Sequence, residues 1–307
     1  MQNIVLGVVG QGFVGNAFRE GMKDKFTIET YDKYVHDRST CSSIDELVEK
    51  SDVIFVSVPT PMRKTGECDT SIVESVLCEL YSAVKRLQSG VTLDVVIRST
   101  VPPGTTERLN KEYSSYLNVI FNPEFLTEVN AIDDFKNQNR IILGYEKAYY
   151  DAVDIGNSPG RCNVYNVYAY AFPGIDIITL YSTEAEMVKY TTNVFLATKV
   201  SLANELWQVC QAVGVDYDVM IDAAKLDKRL GQSHWMVPGL PQVHDPVRRH
   251  GFGGSCFVKD LNALKSLAKS LDVDPKIMEA VWQKNLEIRT GDARDWEKLE
   301  GRAISGE

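Results

Sequence analysis

The stretch "NIVLGVVGQGFVGNAFREGM", residues 3–22, combines a short apolar run, a glycine-rich turn and a helix-like segment. Its glycines Gly10, Gly12 and Gly15 have the G-x-G-x-x-G spacing that binds dinucleotides where a strand leads into a helix. The first glycine makes the tight turn, the second lets a pyrophosphate approach the helix N-terminus, and the third permits close helix–strand packing. Asp32 follows at the distance from which an acid binds the adenosine ribose. The stretch therefore predicts a dinucleotide site.

The acid favours NAD over NADP, although the neighbouring Lys33 weakens that inference. Thr60 and Thr100 follow two further apolar runs. In an open α/β sheet the ligand crevice lies outside the carboxyl ends of the strands, so we expect both threonines to face the cofactor. Capping a turn is the alternative and the commoner role of such residues.

Apolar runs recur between helical or loop segments at 52–61, 91–106, 116–125 and 139–145. This alternation predicts an α/β fold, a Rossmann-like and largely parallel sheet with crossover helices. Later segments all have helical patterns, and a chain of 307 residues is long enough for two domains. We expect an NAD-binding Rossmann domain over 1–180 and an all-α domain over 181–307, opened by one long helix.

That helix is predicted over 183–213, with a capping box of Thr183 and Glu186 at its start and Gly214 at its end. Apolar residues cover much of its circumference, which indicates several packing neighbours including a second subunit, so a homodimer is expected. Lys189 and Asn193 are four residues apart and project together. They form either a substrate-facing pair or an exposed lysine beside an asparagine.

Glu124 and Glu128 stand four apart in "FNPEFLTEV". If this segment is helical, both carboxylates share a face, where like charges are unfavourable unless a function uses them. A solvated acidic face is the alternative. The position after a strand end favours a functional role.

The stretch "HGFGGSCFVKD", residues 250–260, surrounds Cys256 with glycines and follows it with Lys259 and Asp260. Free cysteines are usually buried and inert. Here the glycines let the backbone approach a ligand, and both signs of charge come within reach of the thiol. The pattern predicts a reactive thiolate.

The overall composition excludes several classes of protein. The net charge is −9, from 33 basic and 42 acidic residues, without a long basic run, so we expect no nucleic-acid partner. Six cysteines lie far apart without a Cys-x-x-Cys pair or metal-ligand spacing, which predicts free thiols and no metal. The sequence contains neither a leader-like N-terminus nor a membrane-length apolar run, so we expect a cytoplasmic protein without membrane attachment.

An ordered set of motifs resembles the UDP-glucose/GDP-mannose dehydrogenase family. The motifs are "GQGFVG" at 10, "VPTP" at 58, "STVPPGT" at 99, "NPEFLTE" at 122, "KYTTNVFLATK" at 189, "KRLG" at 228 and "GFGGSCFVKD" at 251. The resemblance implies an NAD-dependent enzyme that oxidises the C6 alcohol of a nucleotide sugar, here a UDP-hexose, to the carboxylate. It also implies a dimer formed through the central helical domain.

By this resemblance Cys256 is the nucleophile, and Lys189, Asn193 and Asp260 surround the reacting carbon. Glu124 serves hydrolysis as acid or base, and Thr100 lies where the family holds a water and the cofactor. The expected cofactor-binding residues are Gly10, Gly12, Phe13, Val14, Gly15, Asp32, Pro59, Thr60, Thr100, Glu128 and Lys259. The expected substrate-binding residues are Glu124, Phe125, Leu126, Lys189, Asn193, Arg229, Arg248, Arg249 and Gly253, with Arg229 reaching a neighbouring subunit.

The sequence departs from the family's pattern at two places. Family members usually add a C-terminal domain that binds the nucleotide, whereas this sequence ends soon after the central domain. The segment 234–250 is longer than usual, and its Arg248, Arg249 and His250 either grip a diphosphate in place of that domain or form a solvated basic loop.

Two other functions are compatible with parts of the sequence. A two-electron hydroxyacid dehydrogenase of the 3-hydroxyisobutyrate type shares the layout and the lysine–asparagine pair but needs no cysteine. A cofactor-binding protein without catalysis is the second alternative.

Overall fold

The computed structural model describes residues 4–87, 92–147, 163–241, 243 and 247–306. The chain forms two compact units. The first comprises Met1–Thr60 and Thr70–Lys189, and the second comprises Pro61–Asp69 and Tyr190–Glu307. The predicted domain limits, 1–180 and 181–307, stay a prediction.

A seven-stranded sheet organises the first unit. The strands are β1 (Val5–Val9), β2 (Thr27–Tyr31), β3 (Val53–Val56), β4 (Leu93–Ile97), β5 (Leu117–Phe121), β6 (Arg140–Tyr145) and β7 (Asp176–Tyr181). Their order is β2-β1-β3-β4-β5-β6-β7. Pairing is parallel except between β5 and β6, which run antiparallel. The predicted largely parallel Rossmann-like sheet is confirmed, and β7 is a strand that the apolar pattern did not indicate.

Six helices of the described residues belong wholly to this unit: α1 (Phe13–Met22), α2 (Ile44–Lys50), α3 (Ser71–Leu87), α4 (Thr105–Tyr113), α5 (Ala131–Lys136) and α6 (Asn163–Ala171). Alternate residues of the central strands enter two separate apolar clusters, Val53 and Phe55 in one and Ile54 and Val56 in the other. Successive side chains point to opposite faces of a sheet, so these strands are buried on both faces. That burial explains their uninterrupted apolar runs.

Helices provide most of the regular structure of the second unit. They are α7 (Ser182–Val213), which begins in the first unit, α8 (Tyr217–Ala224), α9 (Cys256–Ser270) and α10 (Lys276–Ile288). Short 3₁₀ turns cover Lys228–Leu230, Gly291–Ala293 and Asp295–Lys298. Two apolar clusters pack between these helices, one around Phe252, Leu261 and Trp296 and the other around Tyr217 and Trp235.

Helix α7 has the predicted extent but not the predicted cap. The N–H of Tyr181 donates to the carboxylate of Glu184, while Thr183 donates to Glu107. The capping box of Thr183 with Glu186 is therefore wrong, because the Glu186 carboxylate is used by another element. At the C-terminus Gly214 has φ +74°, and the N–H of Val215 donates to the Cys210 carbonyl, as in a glycine-terminated helix.

The buried Glu186 carboxylate holds the start of helix α4. It accepts hydrogen bonds from the N–H of Gly104 at 2.6 Å, the N–H of Thr106 at 2.8 Å and the hydroxyl of Thr106 at 2.6 Å. Burial raises the pKa of Glu186 to about 7, although these three hydrogen bonds act to lower it. The folded protein therefore favours the neutral acid more strongly than the unfolded chain does.

This pKa predicts a pH dependence of folding. A carboxyl whose pKa is higher in the folded state stabilises the fold at low pH, and this contribution is lost as the pH rises through about 7. Between pH 5 and pH 8 the unfolding free energy should fall by roughly 2–3 kcal/mol more in the wild-type protein than in Glu186→Gln. Urea unfolding at several pH values measures the difference. Parallel stability profiles for the two proteins would contradict the assignment.

Candidate active site

The glycine turn between β1 and α1 has the geometry that a pyrophosphate requires. Gly10 has φ +91°, a conformation that side chains rarely adopt. A Cβ on Gly15 would lie 1.9 Å from the Gly10 carbonyl oxygen, so helix and turn approach each other more closely than any larger residue allows. A Cβ on Gly12 would meet nothing within 4 Å, which leaves open space at the start of the helix. The tight turn, the close packing and the open space agree with the geometry that the spacing predicts, and the contact of these glycines with a pyrophosphate stays a prediction.

Asp32 follows β2 and lies against this turn. Its Oδ2 accepts a hydrogen bond from the Gln11 N–H at 2.5 Å, and its Oδ1 accepts from the N–H groups of Tyr34 and Val35 at 2.8 and 2.9 Å. A carboxylate has about four lone-pair positions, so Oδ2 keeps capacity for a ribose hydroxyl. The open space at Gly12 and the half-exposed Asp32 carboxylate fit an adenosine diphosphate moiety.

The ends of β3 and β4 are joined beside the predicted cofactor residues. The N–H of Val58 donates to Ser99 Oγ at 2.9 Å, and that hydroxyl donates to the Val58 carbonyl at 2.7 Å. Thr60 and Thr100 follow these two strands and are buried, whereas Pro59 is exposed. Both threonines lie at the carboxyl edge of the sheet. Their contact with NAD, like that of Phe13, Val14, Glu128 and Lys259, stays a prediction.

Glu124 and Lys189 form a buried ion pair in the first unit. The Lys189 Nζ lies 3.0 Å from Glu124 Oε1 and also donates to the Glu124 carbonyl. The other carboxylate oxygen accepts from the Leu126 N–H at 2.8 Å, and the Phe125 ring lies 5.4 Å from the ammonium. The predicted substrate residues Glu124, Phe125, Leu126 and Lys189 thus come together. The segment around them is not helical, so Glu128 does not share a helical face with Glu124.

The surroundings of Glu124 keep it ionised. Burial disfavours the charged form, but the Lys189 ammonium, the Leu126 N–H and the Arg98 guanidinium more than offset it, so the pKa of Glu124 lies below its ordinary value. Arg98 is a residue that the sequence reasoning missed. It is buried between the rings of Phe18 and Phe135, at 5.1 and 5.3 Å from their centroids. The sequence feature that could have indicated Arg98 is its position directly before the motif "STVPPGT".

In the second unit, Cys256 is the first residue of helix α9. The positive end of a helix dipole stabilises a thiolate at that position. Lys259 follows within the first turn, and its Nζ lies 2.6 Å from Asp260 Oδ1. Asp260 is almost fully buried, and its other oxygen accepts from the Asn193 amide at 2.5 Å. The structure therefore brings together Asn193, Lys259 and Asp260 on the two helices α7 and α9.

Lys259 couples electrostatically to two thiols. Burial disfavours its ammonium, but Asp260 and the thiolate forms of Cys68 and Cys256 reverse the effect, so the pKa of Lys259 lies above its ordinary value. By reciprocity the ammonium stabilises both thiolates. Cys68 is a second missed residue. Its segment, Pro61–Asp69, packs on α9, since a Cβ on Gly66 would lie 3.5 Å from the Asn262 carbonyl oxygen.

The predicted substrate arginines have contacts within their own segments. Arg229 is exposed and pairs with Asp227, with 2.9 Å between Arg229 Nε and Asp227 Oδ1. Arg248 donates to the carbonyls of Pro238 and Gly239, at 2.9 and 3.4 Å, so part of its guanidinium is bound to backbone of its own segment. Gly253 lies against the buried ion pair of Arg289 and Asp295. The phosphate-binding role of Arg248 and Arg249 stays a prediction. Residues 242 and 244–246 of this long segment lie outside the described part of the chain.

The described ranges contain no cluster of metal-ligating side chains, and the five cysteines within them form no disulfide. Cys162 lies outside these ranges. Among the described helices, none combines the length and the apolar character that a membrane span requires.

The first unit is, by its glycine turn and its sheet, a dinucleotide-binding domain. The second is a helical unit with a cysteine at a helix N-terminus. Two family models match the chain, described as the "UDP-glucose/GDP-mannose dehydrogenase family, NAD binding domain" over residues 28–154 and the "central domain" over residues 183–287. The chain belongs to the UDP-glucose/GDP-mannose dehydrogenase family, and the cofactor of its first domain is NAD.

Individual relatives agree with this assignment. A UDP-glucose 6-dehydrogenase of Rickettsia bellii is 33% identical over 259 residues, which are 82% of this chain and 53% of the relative. The chain thus spans about half the length of this relative. The solved structure of a UDP-glucose dehydrogenase from the archaeon Pyrobaculum islandicum superposes with a TM-score of 0.79 at 29% identity, covering 92% of this chain and 68% of that one.

A more distant structure shares the fold alone. The 3-hydroxyisobutyrate dehydrogenase of Mycobacterium tuberculosis superposes with a TM-score of 0.69 at 14% identity, over 96% of both chains. The layout of a sheet domain followed by a helical domain is therefore common to dehydrogenases without a close sequence relationship.

The Glu124–Lys189 pair yields a stability prediction. Lys189→Met should lower the unfolding free energy by about 3–5 kcal/mol, because it leaves a buried carboxylate without its cation. Lys189→Met/Glu124→Gln should recover most of this loss, since it removes both charges. Urea unfolding of the single and double variants measures the coupling, with the exposed Lys276→Met as the matched control. Additive effects of the two substitutions would contradict a coupled pair.

Proposed function

We propose that this chain carries out the NAD-dependent, four-electron oxidation of a nucleotide sugar at C6, UDP-glucose to UDP-glucuronate. The observation that carries the proposal is the position of Cys256 at the N-terminus of α9, one turn from Lys259. Membership in the family supports the substrate class. A two-electron hydroxyacid dehydrogenase would have no use for such a thiol.

The chemistry explains the need for a thiolate. NAD accepts one hydride, so the conversion of an alcohol to a carboxylate consumes two NAD and passes through an aldehyde. The thiolate of Cys256 adds to the aldehyde carbon to give a thiohemiacetal, whose loss of a hydride and a proton gives a thioester. Water then attacks the thioester carbonyl, the C–S bond breaks, and the thiolate returns with the acid as product.

The other residues have proton-transfer and charge-stabilising roles. Lys189 and the Asn193 amide stabilise the oxyanion that forms at the reacting carbon. Asp260, buried and bonded to Asn193 and Lys259, accepts protons through water or lysine. Glu124, whose pKa is lowered, is ionised at neutral pH and so acts as the base in thioester hydrolysis.

Several residues are proposed to bind the substrate. Phe125, Leu126 and Gly253 are proposed to border the sugar, and Arg229 to contact the substrate bound to a neighbouring subunit. Arg248 and Arg249 are proposed to bind the diphosphate, since guanidinium groups match phosphate oxygens. We propose a cytoplasmic location, because a reducing compartment keeps the nucleophilic thiol available.

Stoichiometry and a cysteine variant test the reaction. The wild-type protein should form two NADH for each uronate from UDP-glucose, and Cys256→Ser should lower uronate formation roughly a thousandfold or more because it lacks the nucleophile. NADH absorbance and chromatography of the sugar nucleotide measure both, across a panel of UDP- and GDP-sugars.

The matched control for that variant is Cys78→Ser, an exposed thiol on α3, which should keep wild-type activity. One NADH per product, or full uronate formation by Cys256→Ser, would eliminate the proposal.

We further propose that the chain forms a homodimer through the long helix. Phe195, Leu202 and Val209 recur every seven residues on α7 and are 66%, 48% and 54% exposed. Side chains at that spacing share one face of a helix. An exposed apolar face of this kind matches the surface that a symmetric dimer buries.

The dimer proposal predicts the effect of charged substitutions on this face. Phe195→Glu/Leu202→Glu should convert the protein to a monomer, because the carboxylates would have to be buried. Leu271→Glu, at an equally exposed apolar residue outside helix α7, should leave the dimer intact. Sedimentation velocity distinguishes the two states. A wild-type protein that sediments as a monomer at all concentrations would rule the dimer out.

A further inference from the structure

The loop that precedes Cys256 lies against buried polar side chains from α7 and α10. Asn204 Oδ1 accepts from the Gly251 N–H at 3.1 Å. Asn285 Oδ1 accepts from the Phe252 N–H at 2.9 Å, and the Asn285 amide donates to the Phe252 carbonyl at 3.0 Å. These two asparagines bind backbone that belongs to no regular element.

A buried ion pair completes this arrangement. Arg289 Nη1 lies 2.9 Å from Asp295 Oδ1, and both residues are buried. Arg289 Nε donates to the His250 carbonyl at 3.0 Å, and Asp295 Oδ2 accepts from the Gly254 N–H at 2.9 Å. Arg289 therefore holds the start of the loop, and Asp295 holds the backbone two residues before Cys256.

The loop glycines make room for these side chains. A Cβ on Gly253 would lie 2.3 Å from both Arg289 Nη1 and Asp295 Oδ1, and a Cβ on Gly251 would lie 2.5 Å from Asn285 Oδ1. Gly251 also has φ +70°. The glycines are thus required by the protein's own ion pair and amide, whatever ligand approaches the other side of the loop.

A buried ion pair is weak evidence for stability, because an apolar pair of similar volume often stabilises a core equally well. What distinguishes an ion pair from an apolar pair is the direction of its hydrogen bonds. A carboxylate and a guanidinium fork bind specific backbone groups in a specific geometry, and apolar side chains cannot. The two backbone contacts of this pair both fall in the loop that leads into Cys256.

We propose that Arg289 and Asp295 are positioning residues, which hold the loop 250–255 so that the Cys256 thiol lies at the first turn of α9. This inference rests on the proposed role of Cys256. Both residues follow residue 287, where the match to the central-domain model ends. They act on the reaction through the position of the thiol.

The test measures the alkylation rate of each cysteine with iodoacetamide as a function of pH, using mass spectrometry of the whole chain. Asp295→Asn and Arg289→Lys should raise the pH midpoint of Cys256 alkylation by about half a unit, because a displaced thiolate loses the helix N-terminus and Lys259. Cys78, exposed on α3, is the internal reference and should not change. Asp292→Asn, an exposed acid in the neighbouring turn, is the matched control.

Other titratable groups around α9 bear on this midpoint. Asp260 lies on the same helix, Cys68 comes from the segment Pro61–Asp69, and the His234 ring lies 5.7 Å from that of Phe257. The substitutions leave all three in place, and the loss of the Asp295 carboxylate would by itself lower the Cys256 midpoint. A rise of the midpoint therefore reports the position of the thiol.

Gly253→Ala provides a second, independent variant. Its added Cβ displaces the pair without removing a charge, so it should raise the Cys256 midpoint as Asp295→Asn does, and the two effects should not add. A lower melting temperature with an unchanged midpoint in these variants would overturn the proposal and leave the pair a purely structural role. The assay needs no substrate. An inactive wild-type protein whose Cys256 midpoint still shifts in the variants would sink the proposed function and leave the positioning role intact.

Discussion

Polar side chains buried on helix α7 must each find a partner, because an unsatisfied buried polar group costs more than most single contacts contribute. Glu186 binds the start of α4, and Lys189 binds Glu124. Asn193 binds Asp260, and Asn204 binds the loop before Cys256. One helix therefore fixes the local geometry of four separate pieces of chain. Three of these pieces are the segment of Glu124, helix α9 with Asp260, and the loop before Cys256. Each contains or adjoins a residue with a role in the proposed reaction.

Glycine serves two different purposes in the two glycine-rich stretches. In the turn after β1, the close approach of Gly15 to the Gly10 carbonyl packs helix against strand, and the space at Gly12 stays open for a ligand. Before Cys256, Gly253 lies against Arg289 and Asp295, and atoms of these two residues occupy the space that a side chain would need. The sequence interpretation gave both stretches a ligand-facing purpose. For Gly253 the structure adds a purpose internal to the fold.

The charges around the thiol and the carboxylate meet the same demand, since each favours an anion. A thiolate is favoured by a helix N-terminus and by the Lys259 ammonium, both of which lie in the same turn as Cys256. A buried carboxylate is favoured by a paired cation, which Lys189 supplies to Glu124. Lys259 follows Cys256 by three residues on the same helix. Lys189 comes from a different element than Glu124 and pairs with it directly. Such pairing offsets the burial of the Glu124 carboxylate, and it favours the thiolate form of Cys256 that the proposed reaction requires.

The sequence alone determined the dinucleotide turn, the largely parallel sheet and the long helix, and it predicted a reactive cysteine, because each has a local pattern of glycine spacing, apolar periodicity or adjacent charge. It did not determine which buried groups meet. Glu186 has the spacing of a capping box, yet it binds Gly104 and Thr106, which are distant in sequence. The Arg289–Asp295 pair has no local signature, and neither does the coupling of Cys68 to Lys259. Only the tertiary structure decided these contacts, since desolvation and hydrogen-bond geometry depend on residues that the folded chain brings together.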